Sequence, residues 1–509
     1  MPDHPDPADR PPVLIPMPQG LGVNGVVRWA LRLAGALAGR GWPVGLVLHP
    51  EPAHYPSAGH LVPPGVRAFD LRRWPPLDAP GRGLSPFVAA YRDALAELGA
   101  SPRRPAVLLP NLDAGAFAIA AALGAAHGDH LRTIGWQHSD TAFDAALLAT
   151  YEPVLAAMVG VSDHIAGQLR QRLPWRAGDV HHIPYGVEVA APPPERRPGP
   201  IRLLYAGRLE HEQKRVGVLL ALAGLLHERG VPGELRLVGD GPAAAQVEGA
   251  LAGLPRATRW PAADGDQMLE HLRWADALVL ASRYEGLSIA MLEAMAMGVV
   301  PIVTRVRSGA DEAIGPGREG LLIDPHGDDA AVAARLADAI AALDAPALAT
   351  MRQAAHARAA RHYALPTHAD ACARLLARCV AGPGRWWPLE RPCVFGAGGP
   401  AAPGAVHGSV PPDAAERAAA AIATIDGPLA VYGAGRHTLA IAPVLASARV
   451  ACVLDDDPRN HGNTLWGWPI VGPPRCPPHA AVLLSSYLHR HDMARRCERE
   501  GLRWIDPYA

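Results

Sequence analysis

Short apolar segments alternate with helical segments from residue 13 to residue 380, and this alternation is the strongest constraint on the fold. In the first half, the strand-like segments are Val13–Pro16, Val44–Leu48, Ala106–Leu109 and Thr133–Trp136, and helical patterns cover 86–98 and 114–126. Strands that alternate with helices are typical of a parallel sheet covered by helices on both faces. The chain is therefore predicted to be an α/β protein.

The alternation stops at a proline-rich segment, residues 190–200, and starts again at Ile201. A linker of this composition between two βα series indicates two separate domains. A second segment rich in Gly, Ala and Pro precedes a third, shorter series. We expect five parts: a loose segment 1–12, Rossmann-like domains at 13–190 and 191–382, a linker 383–412, and a small Rossmann-like domain 413–509.

The composition of the 509 residues narrows the class of protein. A formal charge of -1 argues against bulk nucleic-acid binding. No apolar run reaches the roughly 18 residues of a membrane span, and the first residues lack the basic and apolar regions of a signal peptide. The six cysteines include no CxxC pair, which favours reduced thiols over disulfides or a zinc site. A cytoplasmic location is the resulting expectation.

Polar residues follow the strands of the first domain, where parallel sheets bind ligands. A glycine loop containing Gly22 lies between the first strand and the first helix, and it is either a phosphate contact or a tight turn. His138 follows the strand that ends at Trp136. We expect His138 to point into the crevice and contact the transferred group; the alternative is an inert surface histidine, since the chain has 23.

Two cations follow the first strand of the second domain, Arg208 and Lys214. Lys214 is the only lysine in the chain, and a compact ammonium is preferred where a planar guanidinium does not fit. The two cations could clamp a diphosphate. The alternative is that both are solvated charges balanced by Glu210 and Glu212.

A helix that is apolar nearly all round, 288–297, contains one carboxylate, Glu293. A charge in such a helix needs a partner, either a protein group or a ligand hydroxyl. Glu285 precedes the helix, and the amides of Gly286, Leu287 and Ser288 at the helix start would suit a diphosphate. The alternative is a core helix whose two glutamates pair with nearby arginines.

The third series contains a strand at Leu429–Tyr432, the glycines Gly433 and Gly435, and Asp455 after a second strand. This spacing fits a dinucleotide fingerprint except that Thr438 replaces the third glycine. The unit is short for a complete dehydrogenase, so we favour a nucleotide-sugar-binding, positioning or assembly role that could support oligomers. An NAD(P)-dependent oxidoreductase centred on Gly433 to Asp455 is the alternative.

The order of motifs from Ile201 to about Ile340 resembles the carboxy-terminal domain of family 4 glycosyltransferases, which are retaining enzymes of the GT-B fold. The matching motifs are Gly207-Arg-Leu with Lys214, Val238-Gly-Asp-Gly-Pro242, Trp274-Ala-Asp276, Ser282-Arg-Tyr-Glu285-Gly-Leu-Ser, Leu292-Glu293-Ala-Met and Glu319-Gly-Leu-Leu-Ile323. Residues 13–190 match more loosely, and the tail is similar to small Rossmann-like domains that accompany sugar-modifying enzymes. The resemblance implies two Rossmann-like domains that face a cleft.

The resemblance also implies roles for individual residues. Arg208 and Lys214 would bind the donor diphosphate next to Gly207, and Glu293 would bind the ribose hydroxyls. Glu285 and the amides after it would contact the donor sugar, and Gly22 in the glycine loop is a further candidate for donor binding. His138 would lie beside the reacting carbon. Catalytic roles would thus fall to His138, Arg208, Lys214 and Glu285.

The implied reaction is hexosyl transfer (EC 2.4) from a nucleotide-diphosphate sugar with retention of configuration, in bacterial-type glycan or glycoconjugate biosynthesis. We expect front-face attack without a metal or other cofactor, and we interpret Asp328-Asp329 and Asp455 to Asp457 as loop acids. The acceptor, a glycan, lipid-linked, protein or small molecule, is left open, as is peripheral membrane contact through Trp386-Trp387. A non-catalytic nucleotide-sugar-binding protein is a further alternative.

Overall fold

The fold is given by a computed structural model of the chain, which describes residues 10–22, 24–51, 61–77, 84–111, 113–192, 199–315, 317–388, 413–433, 437–438, 441–456, 461–462, 464–465, 468–486 and 490–508. Its strands form three separate sheets, one in each region that the sequence predicts to be Rossmann-like.

The first sheet has the order β3-β2-β1-β4-β5-β6-β7 and its described pairings are parallel. Its strands are β1 (Val13–Met17), β2 (Val44–Leu48), β3 (Val66–Asp70), β4 (Ala106–Leu108), β5 (Leu131–Gln137), β6 (Leu155–Gly160) and β7 (Val180–His182). Its helices are α1 (Gly25–Ala38), α2 (Ser85–Glu97), α3 (Ala114–His127), α4 (Ala142–Thr150) and α5 (Asp163–Arg172). The order places β1, β4 and β5 in the middle, so their carboxyl ends meet at one edge.

The second sheet has the order β10-β9-β8-β11-β12-β13 and is also parallel. Its strands are β8 (Ile201–Ala206), β9 (Gly233–Val238), β10 (Ala257–Trp260), β11 (Ala277–Leu280), β12 (Val300–Thr304) and β13 (Leu321–Ile323). The helices that follow them are α6 (Val216–Glu228), α7 (Ala244–Leu251), α8 (Gly265–Trp274), α9 (Ile289–Ala296), α10 (Ala310–Ala313), α11 (Asp329–Ala341) and α12 (Ala345–His362).

A last helix, α13 (Leu365–Ala381), returns to the first domain. Arg132 on β5 is buried and donates to the carbonyl oxygens of Cys379 at 3.1 Å and Gly382 at 3.0 Å. At the other end of α13, Nε2 of His368 accepts a hydrogen bond from the indole nitrogen of Trp29 on α1 at 3.0 Å. Beyond α13, Trp387 is buried and its ring lies 5.4 Å from that of Tyr151. The end of the second domain thus completes the core of the first.

The third sheet, order β16-β17-β15-β14-β18-β19, is parallel except for the β16–β17 pair. Its elements are α14 (Ala414–Ala423), β14 (Leu429–Tyr432), α15 (Ala442–Leu445), β15 (Val450–Leu454), β16 (Thr464–Leu465), β17 (Trp468–Val471), β18 (Ala481–Leu484), α16 (Arg490–Arg499) and β19 (Trp504–Ile505). Sequence analysis predicts β14 and β15 at these bounds but does not predict β16 to β19, which are short or interrupted by proline.

Helix ends in the first domain follow local capping chemistry. The side chain of Asn24 accepts from the amide of Val27 and begins α1, and Ser162 accepts from the amide of Ile165 and begins α5. Among the helices that the structure describes, none is long and apolar enough to cross a bilayer.

Gly239 marks the closest approach of two loops in the second domain. It follows β9, and a Cβ atom added there would overlap the carbonyl group of Gly207 after β8. The added Cβ is bonded to the backbone of Gly239, and the atoms that it would meet belong to the backbone of Gly207. Neither loop can therefore make room for a side chain without displacing the end of its strand.

Replacing Gly239 by alanine should destabilise the second domain by about 1–3 kcal/mol, because the added methyl forces the two loops apart. Differential scanning calorimetry would show a lower transition temperature. Gly249→Ala is the matched control: it lies within α7, an added Cβ meets nothing within 4 Å, and alanine favours the helix. Equal melting of Gly239→Ala and wild type would contradict the prediction.

Candidate functional site

The first and second domains meet through backbone atoms at the end of β5. Ser139 pairs with Gly286 as an antiparallel bridge, and the amide of Asp140 donates to the carbonyl of Glu285 at 3.2 Å. A Cβ at Gly286 would overlap the carbonyl group of His138. The residue between Glu285 and α9 must therefore lack a side chain for the domains to approach this closely.

Serine hydroxyls extend this contact on one side. Ser308, after β12, donates to the carbonyl of Gly286 at 2.6 Å, and its hydroxyl lies 2.6 Å from that of Ser162 at the start of α5. Next to them, the amide of Asp163 donates to Glu312 at 2.8 Å. The loop that carries Glu285 and Gly286 is thus held between the two sheets at both its edges.

His138 contributes its backbone to this junction, whereas its ring is buried in the first domain. Its Nδ1 lies 2.7 Å from the hydroxyl of Tyr185, and its ring packs edge-on against Trp29 with centroids 4.7 Å apart. Burial lowers the pKa of His138 to about 3, so the ring is neutral near pH 7. Its Nε2 has no hydrogen-bond partner among the described residues. His138 is thus 4% exposed, and its contact with a transferred group stays a prediction.

Lys214 and Glu285 form an ion pair across the carboxyl ends of β8 and β11. The Lys214 Nζ lies 2.5 Å from Oε1 of Glu285, and the hydroxyl of Ser282 donates to the same oxygen at 2.7 Å. An ammonium has three donors, so Lys214 can bind a further acceptor while it keeps this contact. The structure therefore brings two of the predicted site residues into direct contact.

The loop before Lys214 is fixed by side chains that the sequence motifs do not include. Glu210 accepts from the amides of Gln213 and Lys214 at 3.1 and 3.0 Å. Arg215 is 1% exposed, adopts a left-handed conformation with φ 50°, and bonds to Asp329 at 2.8 Å. A buried arginine in this conformation is costly, and it ties the Lys214 loop to the start of α11.

Arg208 and Gly207 lie in the same loop after β8. The amide of Gly207 donates to the carbonyl of Val238, and the hydroxyl of Tyr205 donates to the carbonyl of Arg208 at 2.6 Å. The Arg208 guanidinium is partly exposed and lies 3.9 Å from Glu210. Arg208 thus keeps most of its donors available for a ligand at this edge.

Helix α9 begins at this junction. Ser288 is its N-cap and accepts from the amide of Met291, and Leu287 is buried. At the start of α1 an added Cβ on Gly25 would lie 3.5 Å from the Ile289 side chain. The first turns of α1 and α9 therefore face each other across the domain boundary.

Glu293, one turn further along α9, is held by two arginines of α1. Arg28 Nη1 donates to both carboxylate oxygens at 2.8 Å, and Arg32 Nη2 donates to Oε1 at 2.7 Å. Arg28 Nη2 also donates to Asp264 at 2.6 Å. Burial acts to lower the pKa of Arg28, but the charges of Glu293 and Asp264 outweigh it and raise the pKa. The partner that Glu293 needs is thus a protein group in this state.

A cavity of about 450 Å³ adjoins this ion cluster and is lined by both domains. Arg28, Arg32, Asp264 and Glu293 form its polar side. Apolar side chains line the remainder, among them Leu31, Met268, Leu272, Met297 and Leu365. A space of this volume with one polar and one apolar side is typical of a small-molecule site.

The glycine loop after β1 is closed by its own chain. The amide of Gly22 donates to the carbonyl of Gln19 at 3.4 Å, and the amide of Leu21 donates to Glu51 at 3.1 Å. Of the two interpretations of this loop, its hydrogen bonds match the tight turn. Gly22 nevertheless lies at the same sheet edge as the junction.

The candidate nucleotide residues of the third domain are only partly described. Gly433 has φ 109°, and an added Cβ would lie 3.1 Å from the Ser485 carbonyl oxygen. The amide of Asp455 donates to the Val471 carbonyl, and Gly435 lies outside the described residues. Next to Gly433, the ring of His437 is buried and contacts the hydroxyls of Ser485 at 3.0 Å and Tyr508 at 2.5 Å.

The acidic pairs have structural contacts. Asp328 caps α11, Asp329 pairs with Arg215, and Asp456 accepts from the hydroxyl of Tyr432 at 2.6 Å. In the described ranges, no group of three or more His, Cys, Asp or Glu side chains could hold a metal ion.

Sequence analysis did not identify Arg28, Arg32, Asp264 or Arg215. A signal for the first two exists, because arginines at positions i and i+4 lie on one face of a helix that is otherwise largely apolar. Nothing in the sequence indicates that this face meets α9, which is 265 positions away.

Burial lowers the pKa of four histidines, to about 3 for His138 and about 4 for His49, His368 and His437. In the unfolded chain each titrates near pH 6.5. Below that pH the unfolded chain binds protons that the folded chain does not, so stability falls as the pH is lowered.

The free energy of unfolding should therefore decrease between pH 6.5 and pH 4, by up to about 1.4 kcal/mol per pH unit for each such histidine. Urea titrations monitored at several pH values would measure the slope. His138→Gln should have a smaller slope than wild type in the transition of the first domain. A slope unchanged by this substitution would show that His138 is protonated in the folded chain.

Residues 200–342 match the family model described as glycosyl transferases group 1. The chain is 28% identical over 210 residues to lipopolysaccharide 1,6-galactosyltransferase from Salmonella typhimurium, which covers 40% of this chain and 57% of that protein. It is 38% identical over 191 residues to glycogen synthase from Mycobacterium tuberculosis, covering 36% and 43% of the two chains. The chain thus spans about half the length of these curated relatives.

Solved structures share the fold of the first two domains. Sucrose-phosphate synthase from Thermosynechococcus elongatus aligns with a TM-score of 0.58 and 20% identity, over 73% of this chain and 100% of that chain. HepE from Anabaena, in complex with UDP and glucose, aligns with a TM-score of 0.56 and 16% identity over 72% and 100%. The predicted α/β class and the GT-B arrangement are confirmed. The chain therefore has the GT-B fold, and its residues 200–342 match the group 1 glycosyl transferase family model.

Proposed function

We propose that this protein is a hexosyl-type glycosyltransferase that uses a nucleotide-diphosphate-sugar donor and retains the anomeric configuration. The observation that carries the proposal is the junction of the two sheets. There the Lys214–Glu285 ion pair lies at 2.5 Å, and the carbonyl of Glu285 accepts from the amide of Asp140, two residues after His138. The match of residues 200–342 to group 1 glycosyltransferases supports the same activity.

Charge stabilisation of the departing diphosphate falls to three groups in this proposal. Arg208 keeps donors available, and Lys214 can bind a phosphate oxygen while it stays paired with Glu285. The amides at the start of α9, from Gly286 to Ser288, add the positive end of the helix dipole. Preorganised donors of this kind lower the barrier because they need little reorganisation as charge develops.

Front-face attack is favoured over a covalent glycosyl-enzyme intermediate. Oε1 of Glu285 is engaged by Lys214 and Ser282, which suits a carboxylate that accepts from sugar hydroxyls better than one that attacks carbon. The neutral ring of His138 offers Nε2 for a hydrogen bond to the sugar once the donor separates the two domains. Its partner Tyr185 orients the ring.

The nucleoside would occupy the 450 Å³ cavity beside Glu293. Glu293 and Asp264 would accept from ribose hydroxyls, and apolar residues such as Met268 would cover the base. HepE, which shares the fold, is in complex with UDP and glucose, so uridine is the first nucleoside to test. The experiment below identifies the base and the sugar.

The acceptor would bind to loops of the first domain at the carboxyl ends of β1, β4 and β5. One relative is named a lipopolysaccharide galactosyltransferase, and others are named for glycogen and inositol phosphate substrates. We propose a role in glycan or glycoconjugate biosynthesis on that basis. We also propose a cytoplasmic location. The third domain would have an accessory role, either in ligand binding or in oligomer assembly.

Lys214→Met and Glu285→Gln should each reduce transfer of labelled sugar by about 100-fold or more. The first removes a cation that stabilises the departing diphosphate, and the second removes the carboxylate that holds Lys214 and would accept from the sugar hydroxyls. Donor hydrolysis and transfer would be followed with labelled UDP-, GDP-, ADP- and CDP-sugars after a thermal-shift screen of the four diphosphates. Arg229→Met is the matched control, since Arg229 is an exposed cation of the same domain that pairs with Asp338.

Undiminished turnover in both variants would refute the proposed site. Tight donor binding without any turnover in the wild type would instead indicate a non-catalytic nucleotide-sugar-binding protein. Binding of NAD(P) and none of the sugar nucleotides would favour the oxidoreductase.

A further inference from the structure

The carboxylate of Glu293 is nearly saturated by arginine donors from the opposite domain. Oε1 accepts from Arg28 Nη1 at 2.8 Å and from Arg32 Nη2 at 2.7 Å, and Oε2 accepts from Arg28 Nη1 at 2.8 Å. Each carboxylate oxygen has about two acceptor positions. Oε1 is therefore full, and one position remains on Oε2.

A ribose diol that binds a carboxylate through both hydroxyls needs one acceptor position on each oxygen. Glu293 cannot provide this while both arginines are in place. A hydroxyl is also the weaker competitor, because a guanidinium donates a charge-assisted hydrogen bond. A nucleoside in the adjoining cavity must therefore displace an arginine or bind without one of its two hydroxyl contacts.

The two arginines are not equally held. Arg28 also donates to Asp264 at 2.6 Å, and its place in the first turn of α1, near the positive end of the helix dipole, makes these carboxylates necessary. Arg32 donates to Oε1 of Glu293 through Nη2, and its buried Nη1 has no partner among the described residues. Arg32 is the contact that can be released while Glu293 keeps a charged partner.

We infer that Arg32 is an affinity-determining residue that competes with the donor ribose for Oε1 of Glu293. The inference rests on the proposed function, since it requires the ribose to bind at Glu293. In the ligand-free state Arg32 closes the domain boundary at this point. Donor binding breaks the Arg32–Glu293 ion pair. The measured affinity for the donor is therefore lower than the intrinsic affinity by the free energy needed to break this pair.

The competition also sets a preference for ribose over 2′-deoxyribose. A ribonucleotide recovers hydrogen bonds at both carboxylate oxygens after Arg32 leaves, whereas a 2′-deoxyribonucleotide recovers one. Loss of Arg32 should therefore benefit the ribonucleotide more. A general loosening of the two domains would improve both ligands equally, so the comparison separates the two causes.

The test is isothermal titration calorimetry of the full chain with UDP, GDP, ADP and CDP, followed by the 2′-deoxy form of the nucleotide that binds. Arg32→Gln should lower the Kd of the ribonucleotide about tenfold, which corresponds to about 1.4 kcal/mol, and should lower the Kd of the deoxynucleotide less. The gain should vanish in the double variant with Glu293→Gln. Arg40→Gln, which removes another arginine ion pair of this region, Arg40–Asp370 at 2.8 Å, should bind like the wild type.

The failures can be distinguished. Binding by the wild type with unchanged or weaker binding by Arg32→Gln would overturn this inference and leave the proposed function standing. An equal gain for both sugars, or a gain that persists without Glu293, would also overturn it. If none of the four diphosphates binds to the wild type or to Arg32→Gln, the proposed function and this inference both fail.

Discussion

The contact on which the site depends is made between two backbones, at a residue that has no side chain. Gly286 pairs with Ser139, and any larger residue would collide with the carbonyl group of His138. This approach sets the distance between the sheets, and with it the position of the loop that carries Glu285 and the start of α9. The position of Lys214 follows, because its ammonium is paired with Glu285.

Charged side chains near the domain boundary form ion pairs with one another. Arg28 pairs with Glu293 and Asp264 across the boundary, and within the second domain Lys214 pairs with Glu285 and Arg215 with Asp329. Removing a charge from water costs several kcal/mol, and a partner at hydrogen-bond distance is needed to offset it. These pairs exist without a ligand, whereas Arg208 and Lys214 keep donors that an anionic ligand could use without breaking them.

Much of the architecture follows from local pattern. The strands that begin at Val13, Val44 and Ala106 and the helices at 86–98 and 114–126 are predicted within a few residues, because their apolar periodicity extends over whole elements. The edge strand β3 is missed because Val66–Asp70 has two charged residues and an exposed face. Strands β16 to β19 of the third sheet are missed because each has only two to four residues, which is too few for a periodic pattern.

The site is predictable where its residues belong to one contiguous motif. Ser282, Glu285 and Gly286 follow a strand, and a strand end leads to the sheet edge. The pairing of side chains from two different domains cannot be predicted in this way. Glu293 contacts Arg28 and Arg32 because of the angle at which α1 packs against α9. No local sequence pattern predicts that angle. The same reason explains His138, whose ring is drawn inward by Trp29 and Tyr185.

The return of α13 to the first domain has a consequence for the order of events on the ribosome. Arg132 and Trp29 find their partners on Cys379, Gly382 and His368, more than two hundred positions later in the chain. The amino-terminal sheet is thus translated first, but the core around it is completed last, after the whole second domain has been translated. Until that moment Arg132 has only the nearby carbonyl oxygens of Gly128, Asp129 and Leu131 as acceptors, and the indole of Trp29 lacks the acceptor that it has in the folded chain.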